Sequence, residues 1–103
     1  MTKLLNPIHP GEILLEEFLK PYCLTRTALA EAIDVPVNRI GQICSGKREV
    51  TPDTAIRLGE FFETGPEFWM NLQANYNLRI AKRNLKKGFK ITPVSKTHYV
   101  CVA

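Results

Sequence analysis

The sequence has no long apolar run and no apolar stretch near its start. Crossing a bilayer as a helix takes about 20 consecutive apolar residues, and no segment approaches that length. Residues 1–10 also lack the apolar centre that a signal peptide requires. We therefore expect a protein of the cytoplasm that has no membrane partner.

Cysteine and histidine are scarce. The three cysteines, Cys23, Cys44 and Cys101, are widely spaced and form no CxxC pair, so they indicate neither a disulfide framework nor a zinc site. His9 and His98 add no recognisable set of metal ligands. We expect reduced thiols and no metal site.

Motifs for catalysis are missing as well. The sequence has no nucleophile with an adjacent base, no recognisable pair of carboxylates and no glycine loop of the kind that binds phosphate. We therefore expect no catalytic residues, no enzyme activity and no cofactor.

Acidic residues are absent from the last third of the chain. From Phe68 onwards there are seven lysines or arginines and no acidic residue, whereas residues 1–67 carry seven basic and ten acidic side chains, a net charge of −3. Such asymmetry indicates an anionic partner or an acidic protein surface, although a solvated basic tail explains the charge equally well. Charge alone leaves both interpretations open.

What is present predicts one mainly α-helical domain. A chain of 103 residues with 45% hydrophobic and 23% charged side chains can form a single globular core. Threonine caps, prolines in first turns and apolar spacing predict five helices. These run from Pro10 to Lys20, from Thr25 to Ile33, from Pro36 to Ser45, from Thr51 to Phe62, and from a capping box at Thr64–Glu67 to about Arg83.

Apolar spacing within these helices predicts the core. Aromatic side chains at helical spacing are far more often core than a ligand platform, so we expect Phe68 and Trp69 in the core, although Trp69, Leu72 and Tyr76 can also extend onto a dimer seam. The predicted core positions of the second to fourth helices are Ala28, Leu29, Ala32, Ile33, Ile40, Ile43, Ala55, Ile56, Leu58, Gly59 and Phe62.

The end of the chain differs from the helical part. Residues 98–102 have the pattern of a short strand, and a lone strand must pair with something. A second copy of the chain, another protein and the domain's own surface are all suitable partners. We accordingly divide the chain into a helical domain at 1–87 and a basic tail at 88–103.

Residues 24–43 have the spacing of a helix-turn-helix that binds DNA, so we expect the domain at 1–87 to be a helix-turn-helix DNA-binding domain. Ala30 allows the two helices to approach closely, and Val35, Ile40 and Ile43 pack the second helix against the first. The opposite face is free of Asp and Glu, and its side chains suit base edges in a major groove. The predicted base-reading residues are Val37, Asn38, Arg39 and Gln42. Asn38 and Gln42 can alternatively be ordinary polar residues of a solvated helix.

The flanks of this unit carry candidates for phosphate contacts. Basic and hydroxyl side chains gather there around exposed backbone amides, an arrangement that positions a protein on DNA without selecting sequence. The predicted phosphate-binding residues are Arg26, Thr27, Ser45, Lys47 and Arg48. Lys47 and Arg48 can instead be ordinary loop charges.

Four blocks of residues together resemble the HigA/VapI antitoxin family, within the XRE class of repressors. The blocks are HPGEIL at 9–14, the helix-turn-helix, GKR at 46–48 followed by Thr51-Pro52, and PEFWMNLQ at 66–73. The resemblance covers residues 8–83. Asp34 departs from it, because the family usually has glycine at the turn between the helices. Aspartate tolerates the left-handed conformation, so we expect the turn to form.

The resemblance implies a fold, a function and partners. The fold is an all-α, five-helix, lambda-repressor-like domain, here with a short extended or β tail. The function is that of a homodimer that binds double-stranded operator DNA, neutralises a HigB-like ribonuclease toxin and represses the operon encoding both proteins. Two alternatives remain open, namely a stand-alone regulator without a toxin and an adaptor that does not bind DNA.

Overall fold

Five helical elements make up the described part of the chain, which comprises residues 7–85 and 90–96 of a computed structural model. Helix α1 (Pro10–Ile13) continues directly into a π-helical segment (Leu14–Leu19), and a single 3-10 turn (Val94–Lys96) follows the last helix. Within these ranges there is no β-strand. The remaining helices are α2 (Arg26–Ile33), α3 (Val37–Cys44), α4 (Pro52–Phe62) and α5 (Pro66–Leu85). The predicted five-helix architecture is confirmed, and none of the described helices is long and apolar enough to span a membrane.

The HPGE motif at the start of α1 is explained by capping and close packing. His9 Nδ1 accepts a hydrogen bond from the Gly11 amide at 2.9 Å, and Pro10 occupies the first turn, where its missing N–H costs nothing. A Cβ atom on Gly11 would overlap the carbonyl oxygen of Ile43. Glycine is therefore required where α1 crosses the end of α3.

The turn between α2 and α3 forms as expected. Thr25 caps α2 by accepting a hydrogen bond from the Ala28 amide at 3.0 Å. Asp34 takes the left-handed conformation with φ of 59°, and the Val35 amide returns to the Ala30 carbonyl at 3.0 Å. This is a Schellman turn with aspartate at the position that glycine usually occupies.

A compact apolar core joins the helices. Its eleven buried hydrophobic residues are Leu14, Leu19, Leu29, Ala30, Ile33, Ile40, Ile43, Val50, Ala55, Leu58 and Trp69. The core role predicted for Phe68 and Trp69 is confirmed for Trp69 but wrong for Phe68, whose side chain is exposed. The predictions for Ala32 and Ile56 are wrong, because both side chains are exposed. Successive residues are about 100° apart around a helix, and this rotation turns Ala32 away from the buried face of α2 and Ile56 away from the buried face of α4.

Two polar side chains complete the α4–α5 packing. The predicted capping box at Thr64–Glu67 is wrong, because α5 begins at Pro66 and Thr64 lies one residue outside the capping position. The Thr64 hydroxyl instead accepts a hydrogen bond from the Trp69 indole at 2.9 Å, which satisfies a buried N–H. Gln73, which is 3% exposed, accepts a hydrogen bond from the Val50 amide at 2.8 Å. That bond fastens the loop before α4 to α5.

The tail prediction is mostly outside the described residues. The expected strand at 98–102 lies beyond residue 96, and residues 90–96 are exposed coil and the 3-10 turn. The proposed boundary between residues 87 and 88 also falls between the two described ranges.

Candidate nucleic-acid interface

Helix α3 has two sharply different sides. Ile40 and Ile43 are fully buried against the core, whereas Val37, Asn38 and Gln42 are exposed. Burial of the two isoleucines fixes the rotation of the helix, because turning it would expose them to water. The polar side of α3 therefore points away from the protein.

Arg39 differs from its neighbours because the protein itself engages it. The side chain is 29% exposed, and its Nη1 donates to Asp53 Oδ2 at 3.2 Å. The free face of α3 carries no Asp or Glu of its own, as expected, but Asp53 reaches it from the first turn of α4. Sequence reasoning missed Asp53 because it stands 14 residues from Arg39.

Gln42 and Arg48, predicted to contact bases and phosphates respectively, contact each other. Arg48 Nε donates to Gln42 Oε1 at 2.9 Å, and the Ser45 hydroxyl donates to the Gln42 carbonyl at 3.1 Å. These bonds join the last turn of α3 to the loop that follows it. Three of the predicted interface residues thus form one exposed cluster, in which the Gln42 amide nitrogen and the Arg48 terminal nitrogens still provide hydrogen-bond donors.

A groove of about 550 Å³ places the start of α2 beside the start of α3. Its walls include Lys20, Thr25, Arg26, Thr27 and Val37. Arg26 and Thr27 are both exposed, and they lie in the first turn of α2, where backbone amides have no helical acceptor. The structure therefore brings two predicted phosphate-binding residues next to one predicted base-reading residue.

Two titratable side chains lie behind this surface. Burial raises the pKa of the Cys44 thiol above its ordinary value, and the neighbouring Arg26 guanidinium lowers it by a smaller amount. Burial lowers the pKa of His9, against a smaller opposite effect of Glu49. The His9 ring also meets the Tyr76 ring edge-on at 4.9 Å. Both groups are therefore favoured in their neutral forms, and His9 Nδ1 remains free of a proton to cap α1.

The metal-ligating residue types are dispersed. In the described ranges, no three or more His, Cys, Asp or Glu side chains lie close enough together to hold a metal ion. The predicted phosphate-binding residues in α2 and in the loop after α3 instead carry hydroxyl and basic groups.

Comparisons with known proteins identify the same architecture. A helix-turn-helix family model matches residues 15–69. Virulence-associated protein I of Dichelobacter nodosus is 43% identical over 88 residues, which are 85% of this chain and 82% of that protein.

Solved structures agree with this similarity. The structure of Pseudomonas aeruginosa antitoxin HigA with the higBA promoter has a TM-score of 0.83 at 42% identity, and the alignment covers 86% of this chain and 99% of the other. An addiction module antidote protein of the HigA family from Coxiella burnetii has a TM-score of 0.81 at 43% identity, with the same coverage of 86% and 99%. The chain therefore belongs to the XRE-type helix-turn-helix proteins, in the family of the HigA antitoxins.

Proposed function

We propose that the protein is a sequence-specific DNA-binding repressor that also acts as an antitoxin. The observation that carries the DNA-binding part is the anchoring of α3, with Ile40 and Ile43 buried and the polar side exposed. A helix of this kind fits the major groove, which is about 12 Å wide. Repression follows if the bound site overlaps the protein's own promoter.

The outer residues of α3 have the chemistry needed to distinguish base pairs. An arginine such as Arg39 can donate two hydrogen bonds to guanine, and the amides of Asn38 and Gln42 can pair with adenine. Val37, which is 45% exposed, can contact the methyl group of thymine. Each good contact contributes about 1–3 kcal/mol of discrimination.

The residues around α3 supply contacts that do not depend on sequence. Arg26 and Thr27 lie at the start of α2, where free backbone amides attract anions. Ser45, Lys47 and Arg48 are exposed just after α3. Phosphate contacts from these two places would bracket the reading helix and fix its register on the duplex. All of these residues fall within the proposed DNA-binding domain at 1–87.

A homodimer would double these contacts. Two copies with reading helices about one DNA turn apart would bind a palindrome. The first half of α5 packs in the core, but Leu78 and Leu85 in its second half are each 53% exposed. We place the dimer seam along this second half, with the half-buried Leu72 and Tyr76 beside it. Trp69 is excluded from the seam because it is fully buried within one chain.

The antitoxin role is supported by similarity to known antitoxins and not by an identified toxin-binding surface. The Pseudomonas aeruginosa relative is an antitoxin whose structure includes the higBA promoter. By analogy, we propose that this protein binds a HigB-like ribonuclease toxin in the cytoplasm and represses the operon that encodes both. In this role it works by binding and not by catalysis.

The DNA-binding proposal can be tested with the region upstream of the protein's own gene. We expect tighter binding to this DNA than to a scrambled duplex of equal length, with affinity falling steeply between about 50 and 200 mM salt because counterions are released. Footprints of two half-sites about 10 base pairs apart would support a dimer. Equal affinity for both duplexes would contradict the proposal.

The toxin partner needs a separate experiment. We expect a ribonuclease encoded by the neighbouring gene to co-purify with the tagged protein, and its activity to be suppressed in the complex. Selective DNA binding without such a partner would instead identify a stand-alone regulator.

A further inference from the structure

A chain of hydrogen bonds connects the reading helix to the turn before it by way of α4. Asp53 Oδ2 accepts from Arg39 Nη1 at 3.2 Å and from Arg57 Nε at 3.1 Å. Arg57 Nη1 in turn donates to the carbonyl oxygens of Ile33 and Asp34, at 2.7 and 3.2 Å. One carboxylate oxygen therefore lies between two guanidinium groups.

At one end of this series of hydrogen bonds, Arg57 is anchored to the protein backbone. Its acceptors are backbone carbonyls at the end of α2, where helical partners for carbonyls run out. Because Asp53 and Arg57 are four residues apart on α4, the pair also lies on one face of that helix. Arg57 thus holds the carboxylate of Asp53 in place, and Asp53 holds Arg39.

Folding stability does not explain why Asp53 pairs with Arg39. The side chains of Arg39, Asp53 and Arg57 are 29%, 59% and 37% exposed, and ion pairs at such positions contribute little to folding because water and salt screen them. The geometry has a clearer consequence for DNA binding. Asp53 engages Nη1 of Arg39, so the edge formed by Nε and Nη2 keeps two parallel donors for a base.

The charge of Asp53 has a second consequence. A flexible arginine near DNA binds any phosphate, which raises affinity for every sequence equally. A carboxylate that engages the guanidinium competes with phosphate and also repels the duplex backbone. A phosphate can also offer two acceptors to the free edge, but its charge is repelled by the nearby carboxylate, whereas a correctly placed guanine offers two acceptors and is neutral.

We propose that Asp53 is a positioning residue that sets operator specificity, by orienting Arg39 for bidentate base contact and withholding it from phosphates. This inference rests on the proposed DNA-binding function. It assigns a role in specificity to α4, a helix that is not itself the reading helix.

The test compares Asp53→Asn with the wild-type chain on two duplexes, the upstream operator DNA and a scrambled duplex. We expect Asp53→Asn to bind scrambled DNA more tightly and with a salt slope steeper by about one unit, because Arg39 gains a phosphate. We expect the ratio of operator to scrambled affinity to fall by about tenfold, the lower range for losing one bidentate contact. Circular dichroism should show an unchanged helical fold, and Asp53→Ser provides a second replacement with the same expected outcome.

Two matched proteins separate positioning from a general charge effect. Glu60→Gln removes the same charge from α4 about 10 Å further along the helix, so we expect it to leave the ratio of affinities unchanged. In an Arg39→Ala background, Asp53→Asn should not lower the ratio further, because Asp53 acts through Arg39.

The outcomes also separate this inference from the proposed function. If the wild-type chain shows no preference for the operator, the DNA-binding function itself fails. If the wild type is selective but Asp53→Asn keeps the same ratio, or lowers it equally without Arg39, the positioning role is overturned and the function stands.

Discussion

The inner and outer sides of α3 are fixed by different forces. On the inner side, Ile40 and Ile43 are closely packed, and the backbone of Ile43 touches Gly11 of α1. On the outer side, Arg39 and Gln42 are placed by single hydrogen bonds to exposed partners. Close packing tolerates little change, whereas exposed hydrogen bonds exchange readily with water or a ligand. If the proposed function holds, the fold and the choice of DNA sequence are thus encoded on opposite sides of one eight-residue helix.

The largest expected effect comes from a methyl group on the inner side. In Gly11→Ala, the new Cβ would overlap the carbonyl oxygen of Ile43, and two backbones must move apart to admit it. We expect a loss of about 3 kcal/mol in the free energy of unfolding, measured by urea denaturation. Gly41→Ala is the matched control, because a Cβ there meets nothing within 4 Å. It should instead stabilise the protein by up to about 1 kcal/mol, since alanine favours helix. Similar losses in both variants would contradict the packing argument.

The next effect is on the outer side and concerns sequence preference. Arg39→Ala should reduce discrimination between the operator and single-base variants by about 1–3 kcal/mol at one position, because a bidentate base contact is lost. The unfolding transition should remain within about 0.5 kcal/mol of the wild type. Unchanged selectivity in competition binding would refute the assignment of α3 as the reading helix.

A smaller and uniform effect is expected from the flanking loop. Lys47→Ala should weaken binding to all duplexes equally and reduce the slope of log affinity against log salt by about 0.9, the value for one phosphate contact. Fluorescence anisotropy over a salt series measures this slope. A change that depends on the DNA sequence would mean that Lys47 contacts a base.

The smallest effect is a pH dependence of the free energy of unfolding, caused by His9 at the start of α1. Because the pKa of His9 is lowered in the fold, the unfolded chain binds more protons than the folded one below the ordinary histidine value of 6.5. The free energy of unfolding should therefore fall as the pH drops from 7.5 to 5.5. His9→Asn keeps a capping oxygen without a titrating group, so its profile should be flatter over this range. The wild type and His9→Asn both contain His98, so its contribution cancels when their two pH profiles are compared. Parallel profiles would exclude a contribution from His9.

Local signals predicted most of the fold. Thr25 and Pro10 marked helix starts correctly, because capping depends on neighbouring residues alone. The strong alternation of apolar and polar positions in α3 predicted its buried side, including Ile40 and Ile43. Ala32 was misplaced because a two-turn helix gives too few residues to define the centre of its buried arc.

These local signals did not predict which side chains meet between helices. The pairing of Arg39 with Asp53 depends on where α3 and α4 cross, which no local pattern specifies. The Thr64 hydroxyl was assigned to a cap, but the indole of Trp69 competes for it once the core forms. Whether the nine predicted interface residues contact DNA remains a prediction, since the described contacts are within the chain itself.

The bond between Arg48 and Gln42 limits how operator preference can be redesigned. The two side chains serve as each other's partner in the free protein, at 2.9 Å. Replacing Gln42 so that α3 recognises a different base would also remove the hydrogen-bond partner of Arg48. Arg48 would then be free to bind phosphates of the duplex, which raises the affinity for DNA of any sequence. Engineers who retarget this surface should therefore vary positions 42 and 48 as a unit, screening pairs of substitutions rather than one at a time.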